Sequence, residues 1–424
     1  MPWALLAVGV LFALMTVPAL VRVHHWALLF PAFVVSWLGT GMAGWWLTLI
    51  PVTAVVLAAL GGLAAWPGWV GLGLVAASMG GLLRQSGRAR RAGATFDAVL
   101  DPLDGRHGEH ARRSPRSVVL PFLMHDRGVT RVKNLRYADG SRRRHLLDVY
   151  RPRAGADGAP VLLQIHGGAW MIGTKDTQGR PLMNALANAG WVCVAINYRL
   201  SPRVKWPDHL VDCKLALAWI REHIAEYGGD PDRVVVTGGS AGGHLATLVA
   251  LTANDPRYQP GFERVDTSVR ACVPMYGAYD LEQIFGGYPS RIGRRLGSWM
   301  GSLVIGRDLR DVEAYRNASP TYQVAAGAPP FLVVHGTIDN LVPVEQARHL
   351  VAELRAVGSP VAYIELAGAP HAFDVFHSAW SHEAVAGIVR YVTWVVATAD
   401  PTAPPVGAGS ASTDPTTTAR TAPS

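Results

Sequence analysis

The stretch Val234-Val235-Val236-Thr237-Gly238-Gly239-Ser240-Ala241-Gly242-Gly243-His244 decides the fold. Four β-branched residues run straight into G-x-S-x-G, and a helix-compatible segment, Gly242–Thr252, follows. A serine on a sharp strand-to-helix turn lifts its hydroxyl above a sheet, at the positive end of the next helix. Gly238 and Gly242 leave room where a Cβ would meet neighbouring backbone. Ser240 is therefore the candidate nucleophile, and Ala241 N–H lies beside it as a candidate oxyanion donor.

Upstream, the apolar run Val161–Ile165 ends in His166-Gly167-Gly168-Ala169-Trp170. Small residues just past a strand let backbone N–H groups approach an oxygen that becomes negative in acyl transfer. Gly168 and Ala169 are the candidate donors, with Gly167 as an alternative.

A serine hydroxyl is a weak nucleophile at neutral pH and needs a base held by an acid. Asp339, in His335-Gly336-Thr337-Ile338-Asp339-Asn340-Leu341-Val342-Pro343, follows the run Phe331–Val334. His371, in Gly368-Ala369-Pro370-His371-Ala372-Phe373, follows Val361–Glu365. Both fall just beyond strands, where open α/β sheets bind ligands. Of the other histidines, His244 reads as a packing residue on the helix, His377 and His382 as a helix face. His335 reads as a brace for the Asp339 loop, and His166 as a stabiliser of its own loop. Asp280 and Asp374 are fallback acids, and Asn197-Tyr198-Arg199-Leu200 a brace for the oxyanion loop.

Around these motifs, short β-branched runs alternate with helical stretches, which predicts a mostly parallel sheet covered on both faces. The runs are Val132–Tyr137, His145–Tyr150, Val161–Ile165, Trp191–Asn197, Val234–Thr237, Ala271–Tyr276, Phe331–Val334 and Val361–Glu365. Asp139-Gly140 marks a hairpin between the first two. Helices are expected near Thr177–Ala189, Pro207–Tyr227, Gly242–Thr252, Val344–Val357 and Ser378–Val396. The Gly-, Arg- and aromatic-rich Leu281–Tyr322 insertion, with Trp299, Met300 and Leu303, is either a lid or a surface excursion. Residues after Thr398, poor in large apolar side chains, read as disordered.

The first 83 residues have a different composition. No charged side chain occurs from Pro2 to Val21, nor from Trp26 to Leu83, and seven of the 14 Trp precede residue 70. Pro2–Val21 is long enough for one membrane span of ~20 residues. Trp26–Leu83 as one helix would run about 87 Å against a ~30 Å hydrocarbon core, so it must fold back. The turns are expected near Gly39–Gly44, near Pro51 or at Pro67-Gly68, giving three or four spans. A signal peptide is the competing reading of residues 1–21, but no basic segment precedes the apolar run.

Arg84, Arg88, Arg90 and Arg91 crowd the exit of the last span, which places everything beyond Leu83 in the cytoplasm of a plasma-membrane protein. Residues 84–150 hold 15 Lys and Arg against 7 Asp and Glu, accounting for the whole formal charge of +8. A basic segment directly after an apolar block faces anionic headgroups, so a membrane and not nucleic acid is the expected partner. Residues 84–130 read as a basic connector, with short helical pieces at Phe96–Leu103 and Val118–Met124. Cys193, Cys213 and Cys272 have neither disulfide nor metal spacing and read as buried thiols.

Taken together, His166–Trp170, Asn197–Leu200, Gly238–His244, Asp339–Pro343 and Pro370–His371 resemble the hormone-sensitive-lipase-like and related bacterial carboxylesterase families of the α/β-hydrolase fold. The resemblance covers roughly residues 130–396 and leaves the apolar block outside it. It implies a catalytic domain over 131–397 with Ser240, Asp339 and His371 as its triad and the His166 loop as its oxyanion hole. It also implies a cofactor-free, two-step acyl-enzyme reaction on small-molecule or lipid esters. Ala169 stands where many relatives carry a third glycine, and similar HGG-x-W loops occur in arylformamidases. Amide hydrolysis therefore remains an alternative, as does a non-catalytic binding module on a hydrolase scaffold.

Overall fold

Eight strands form one sheet in the order β1-β2-β4-β3-β5-β6-β7-β8. They are β1 (Val129–Arg136), β2 (Leu146–Pro152), β3 (Ala159–Ile165), β4 (Val192–Ile196), β5 (Gly229–Gly239), β6 (Ala271–Met275), β7 (Phe331–Gly336) and β8 (Val361–Leu366). The computed structural model describes residues 1–23, 25–105, 124–288 and 290–398. β2 runs antiparallel to both β1 and β4, and every other pairing is parallel. β4 and β6 are buried along their whole length. That matches their unbroken apolar sequences, since both faces of a parallel sheet are covered. Asp139-Gly140 lies in a longer β1–β2 loop than a two-residue hairpin, with Gly140 at φ 97°.

Twelve α-helices are described. Four precede the sheet: α1 (Pro2–Thr16), α2 (Leu29–Gly41), α3 (Ala43–Leu57) and α4 (Trp66–Asp104). Then come α5 (Arg180–Asn188), α6 (Asp208–His223), α7 (Ala241–Leu251), α8 (Leu281–Gly286), α9 (Arg291–Ile305), α10 (Val312–Asn317), α11 (Glu345–Ala356) and α12 (Ala379–Ala397). The core lies on both sides of the sheet. One cluster joins Leu163, Val194, Val236, Leu245 and Leu350; the other joins Val235, Val273, Leu332, Ile364 and Ile388. All three cysteines are free and buried. The 281–322 segment carries α8, α9 and α10, and α9 leaves Ile292, Leu296 and Trp299 exposed along one stripe.

Three helical segments are long and apolar enough to cross a membrane: Pro2–Ala19, Ala43–Gly62 and Trp66–Asp104. The fourth candidate segment is α2, with 13 residues. Of the expected turns, the one at Gly39–Gly44 falls at Met42. Pro51 instead lies inside α3. Pro67 occupies the first turn of α4, where a missing N–H costs nothing.

These helices have a defined direction. A Cβ at Gly71 of α4 would lie 2.4 Å from Leu5 O, and one at Gly81 would lie 2.6 Å from the Thr16 side chain. α1 and α4 therefore run parallel, in contact through small residues. Phe12 meets Trp46 near the start of α3, whereas Leu5 lies near Gly62 beyond its end, so α3 runs antiparallel to both.

One expectation is corrected. The chain does not break into a connector at Arg84, because α4, 39 residues long, continues through it to Asp104. Nothing between Leu83 and Pro102 stops a helix, and Ala89, Ala92, Phe96 and Leu100 are buried on the second core cluster. Arg390 of α12 fastens this extension by ion pairs to Asp97 (3.1 Å), Asp101 (2.8 Å) and Asp104 (2.5 Å). Gly105, at φ 66°, ends it. The expected helical piece at Val118–Met124 and the tail after Thr398 fall outside the described residues, apart from Met124 and Thr398 themselves.

Candidate active site

Ser240 sits between the end of β5 and the first residue of α7, at φ 58° and ψ −124°. A non-glycine residue with this backbone is strained and persists only where its surroundings enforce it. Here Ser240 N donates to Met275 O (3.0 Å) and Ser240 O accepts from His244 N (3.0 Å). The flanking glycines are required by close approach: a Cβ on Gly242 would lie 2.2 Å from Ile165 O, and one on Gly238 would lie 2.4 Å from Gly242 O.

Asp339 and His371 come from the loops after β7 and β8, which are joined by Ile338 N→Ala369 O (3.2 Å) and Gly368 N→Thr337 Oγ1 (2.8 Å). His371 Nδ1 lies 2.6 Å from Asp339 Oδ2. The other carboxylate oxygen, Oδ1, accepts from Leu341 N and Val342 N, each at 2.8 Å. Burial alone would raise the Asp339 pKa. The facing His371, together with the hydrogen bonds from His335 and His371, outweighs that and holds it well below the ordinary carboxylate range.

Among the described residues no hydrogen bond joins Ser240 Oγ to His371 Nε2. Tyr276 ties their neighbourhoods together: its ring centroid lies 4.7 Å from that of His371, and its hydroxyl would lie 2.4 Å from a Cβ on Gly239.

The loop after β3 turns sharply, with Gly168 at φ 114°, Ala169 at 51° and Trp170 at 60°. Gly167 N already donates to Gln178 Oε1 (2.6 Å) and is not free to bind an oxyanion. Among the described residues, the N–H groups of Gly168, Ala169 and Ala241 have no protein acceptor. Gly168 and Ala169 are partly exposed.

His166 is buried and stacked on Tyr198 (4.4 Å), whose hydroxyl donates to His166 O. Burial pushes its pKa down to about 4. His244 accepts from Trp170 Nε1 at Nδ1 (3.1 Å), which leaves Nε2 to donate to Ala318 O (2.7 Å). Its pKa falls to about 3 through burial. Both rings are fixed parts of the frame. His335 approaches Val342 O and Asp339, within the acid loop. Asp280 caps α8 through Gln283 N (3.1 Å), and Asp374 accepts from Tyr276 Oη. Neither fallback acid meets His371 as Asp339 does. Asn197 and Tyr198 brace the oxyanion loop, with Asn197 Oδ1 taking Lys175 N (2.8 Å).

Two contributors were not read from the sequence. Gln178 carries no motif signal. Tyr276 directly follows β6 at the same sheet edge as the other site residues, and that position could have marked it.

A strained serine at a strand–helix turn, an acid-held imidazole and a glycine-rich amide loop on one edge of this sheet define an α/β-hydrolase. The BD-FAE family model matches residues 147–354. The chain is 47% identical over 268 residues to the probable carboxylic ester hydrolase LipM of Mycobacterium tuberculosis, covering 62% of this chain and 61% of that protein. It is 45% identical over 285 residues to the esterase LipQ of the same organism, covering 66% of each. Among solved structures, a truncated carbohydrate esterase from gut microbiota superposes with a TM-score of 0.55 at 24% identity, covering 63% of this chain and 97% of that one. The last likeness concerns the fold alone. The chain is thus similar to esterases of the α/β-hydrolase fold. Its matches span roughly three-fifths to two-thirds of the length of these curated relatives.

Proposed function

We propose that this protein is a membrane-anchored serine hydrolase that cleaves carboxylic esters through an acyl-enzyme on Ser240. The observation that carries the reading is the 2.6 Å contact between Asp339 and His371, beside a serine held in a strained turn. Ser240 Oγ attacks the ester carbonyl while His371 Nε2 takes its proton. The N–H groups of Gly168, Ala169 and Ala241 hold the oxygen that becomes negative. Collapse of that intermediate expels the alcohol, which leaves with the proton from His371. Water then attacks the acyl carbon, gives a proton to His371, and releases the carboxylic acid as Ser240 regains its hydrogen. The Ser240–His371 bond closes as substrate seats, since such contacts are often open in a free enzyme. The names of the relatives, esterases and a carboxylic ester hydrolase, support ester over amide substrates.

Anchoring is supported by the three long apolar segments, of which the Ala43–Gly62 window is only 11% buried within the protein. Trp3, Trp66 and Trp69 are exposed together at the bundle end remote from the sheet, as interfacial tryptophans would be. Arg84, Arg88, Arg90 and Arg91 emerge at the other end, and since Lys/Arg-rich flanks of membrane helices stay cytoplasmic, this supports a catalytic domain on the cytoplasmic side.

A fluorophosphonate probe should label the full-length protein and not its Ser240→Ala variant, and an acyl-ester panel should outperform N-formyl aromatic amides. Absent labelling of folded protein would favour a binding module. Alkaline carbonate should leave the protein in the membrane pellet, and its release would end the anchoring proposal. A C-terminal reporter that matures only outside the cell would reverse the orientation.

A further inference from the structure

α2 is about 20 Å long, too short to cross a ~30 Å hydrocarbon core. Both of its flanks are tied to the hydrolase domain. On the entry side, Val23 N donates to Asn340 Oδ1 (2.7 Å) and Arg22 pairs with Glu345 (3.0 Å). On the exit side, Gly41 packs so closely on Phe376 that a Cβ would lie 2.2 Å from its ring. α1 ends and α3 begins on this same face, so α2 lies across the end of the bundle, between the apolar helices and the acid and base loops.

Phe30, Phe33 and Trp37 lie three and four residues apart, which places them on one side of α2. Phe30 and Phe33 have ring centroids 6.1 Å apart, and Phe33 stacks on Trp37 at 5.9 Å. Phe33 and His371 meet as a T-shaped pair, with ring centroids 5.5 Å apart and planes at 81°. Trp37 Nε1 donates to Ala372 O (3.2 Å), and its ring lies 4.6 Å from that of Phe376. Gln85 of α4 adds a bond to Gly368 O (2.5 Å). The ridge thus begins at Phe30, 66% exposed, and ends on the imidazole. Phe33 and Trp37 are themselves half-buried, which leaves ring surface for a further apolar group.

We propose that α2 is a wall of the substrate site and that the substrate is a long-chain acyl ester taken from the bilayer, its chain lying along Phe30, Phe33 and Trp37. This inference rests on the serine-hydrolase reading above. A water-soluble short ester gains nothing from an aromatic ridge leading out of the apolar helices, whereas each buried methylene of a long chain does.

The test uses full-length protein in phosphatidylcholine vesicles, with p-nitrophenyl laurate and p-nitrophenyl acetate as substrates and fluorophosphonate labelling of Ser240 as a separate readout. Phe33→Ala should lower the laurate-to-acetate ratio of kcat/KM about tenfold, the scale of about two chain methylenes losing their apolar contact. Phe33→Leu should restore most of it, and the exposed-site variant Phe30→Ser should lower it about threefold with the helix still docked. Ratios unchanged in Phe33→Ala and Phe30→Ser, with labelling intact, would overturn the wall and leave the hydrolase standing. Unlabelled Ser240 in the unaltered protein would remove the reading on which the proposal depends.

Discussion

Asp339 Oδ2 accepts from His371 Nδ1 at 2.6 Å, while Asp339 Oδ1 is satisfied by two backbone N–H groups of its own loop. The carboxylate is thereby fixed before any substrate arrives. It can hold only the tautomer of His371 that leaves Nε2 free to take a proton.

Asp339→Asn should keep the fold and the loop but lose this control. A kcat loss of about 10³–10⁴ is expected, because an amide at this place favours the wrong tautomer. Ester turnover at saturating substrate measures it. A loss under tenfold would mean another group orients His371.

Gly242→Ala tests the turn. The added methyl would meet two backbone carbonyls, Ile165 O and His166 O, neither of which can move without distorting β3 or the oxyanion loop. A cost of at least ~2 kcal/mol is expected, above the middle of the usual range for overpacking. A lowered thermal midpoint together with slower probe labelling is the expected result.

The buried Tyr276–Asp374 pair can be taken apart by a double-mutant cycle. Burial raises the Asp374 pKa even though the Tyr276 hydroxyl donates to it. Tyr276→Phe should cost ~1–3 kcal/mol, the penalty of an acceptor left without its donor. Tyr276→Phe with Asp374→Leu should cost less than the two single changes added, by at least ~0.5 kcal/mol. Strict additivity in denaturant unfolding would show that the two side chains act independently.

Stability should fall as pH drops from about 6.5 toward 4. Burial pushes His166 and His209 down to about 4 and His244 to about 3, against about 6.5 in an unfolded chain. The unfolded state therefore binds protons that the native state refuses, and the stabilisation present above the unfolded pKa is lost on acidification. The slope could reach ~4 kcal/mol per pH unit for three such groups. His145 works in the opposite sense: burial lowers its pKa, but Asp212 raises it on balance. The thermal midpoint measured from pH 8 to 4 checks the sign, and a midpoint flat to pH 4.5 would contradict it.

Much of the hydrolase domain could be read directly from residue order. Most strands are short runs rich in apolar residues, and each proposed site residue follows one, because a parallel sheet delivers its loops to a single edge. The observed strand β6 differs by only one residue from its expected bounds, since an apolar run buried on both faces has sharp ends. α4 was harder to delimit. Its charged half looks like a connector, yet its buried face is set by contacts with α12, far away in sequence.

Local chemistry alone determined that Ser240 stands on a tight turn, that Asp339 and His371 follow strands, and that the first 83 residues are apolar enough for three or four membrane spans. Only the tertiary structure decided that Gly167 N–H is taken by Gln178, that Tyr276 lies under His371, and that Phe33 abuts the imidazole. These contacts join residues up to 338 positions apart. No periodicity encodes them, because they arise when packed elements meet and not from the preferences of any one segment.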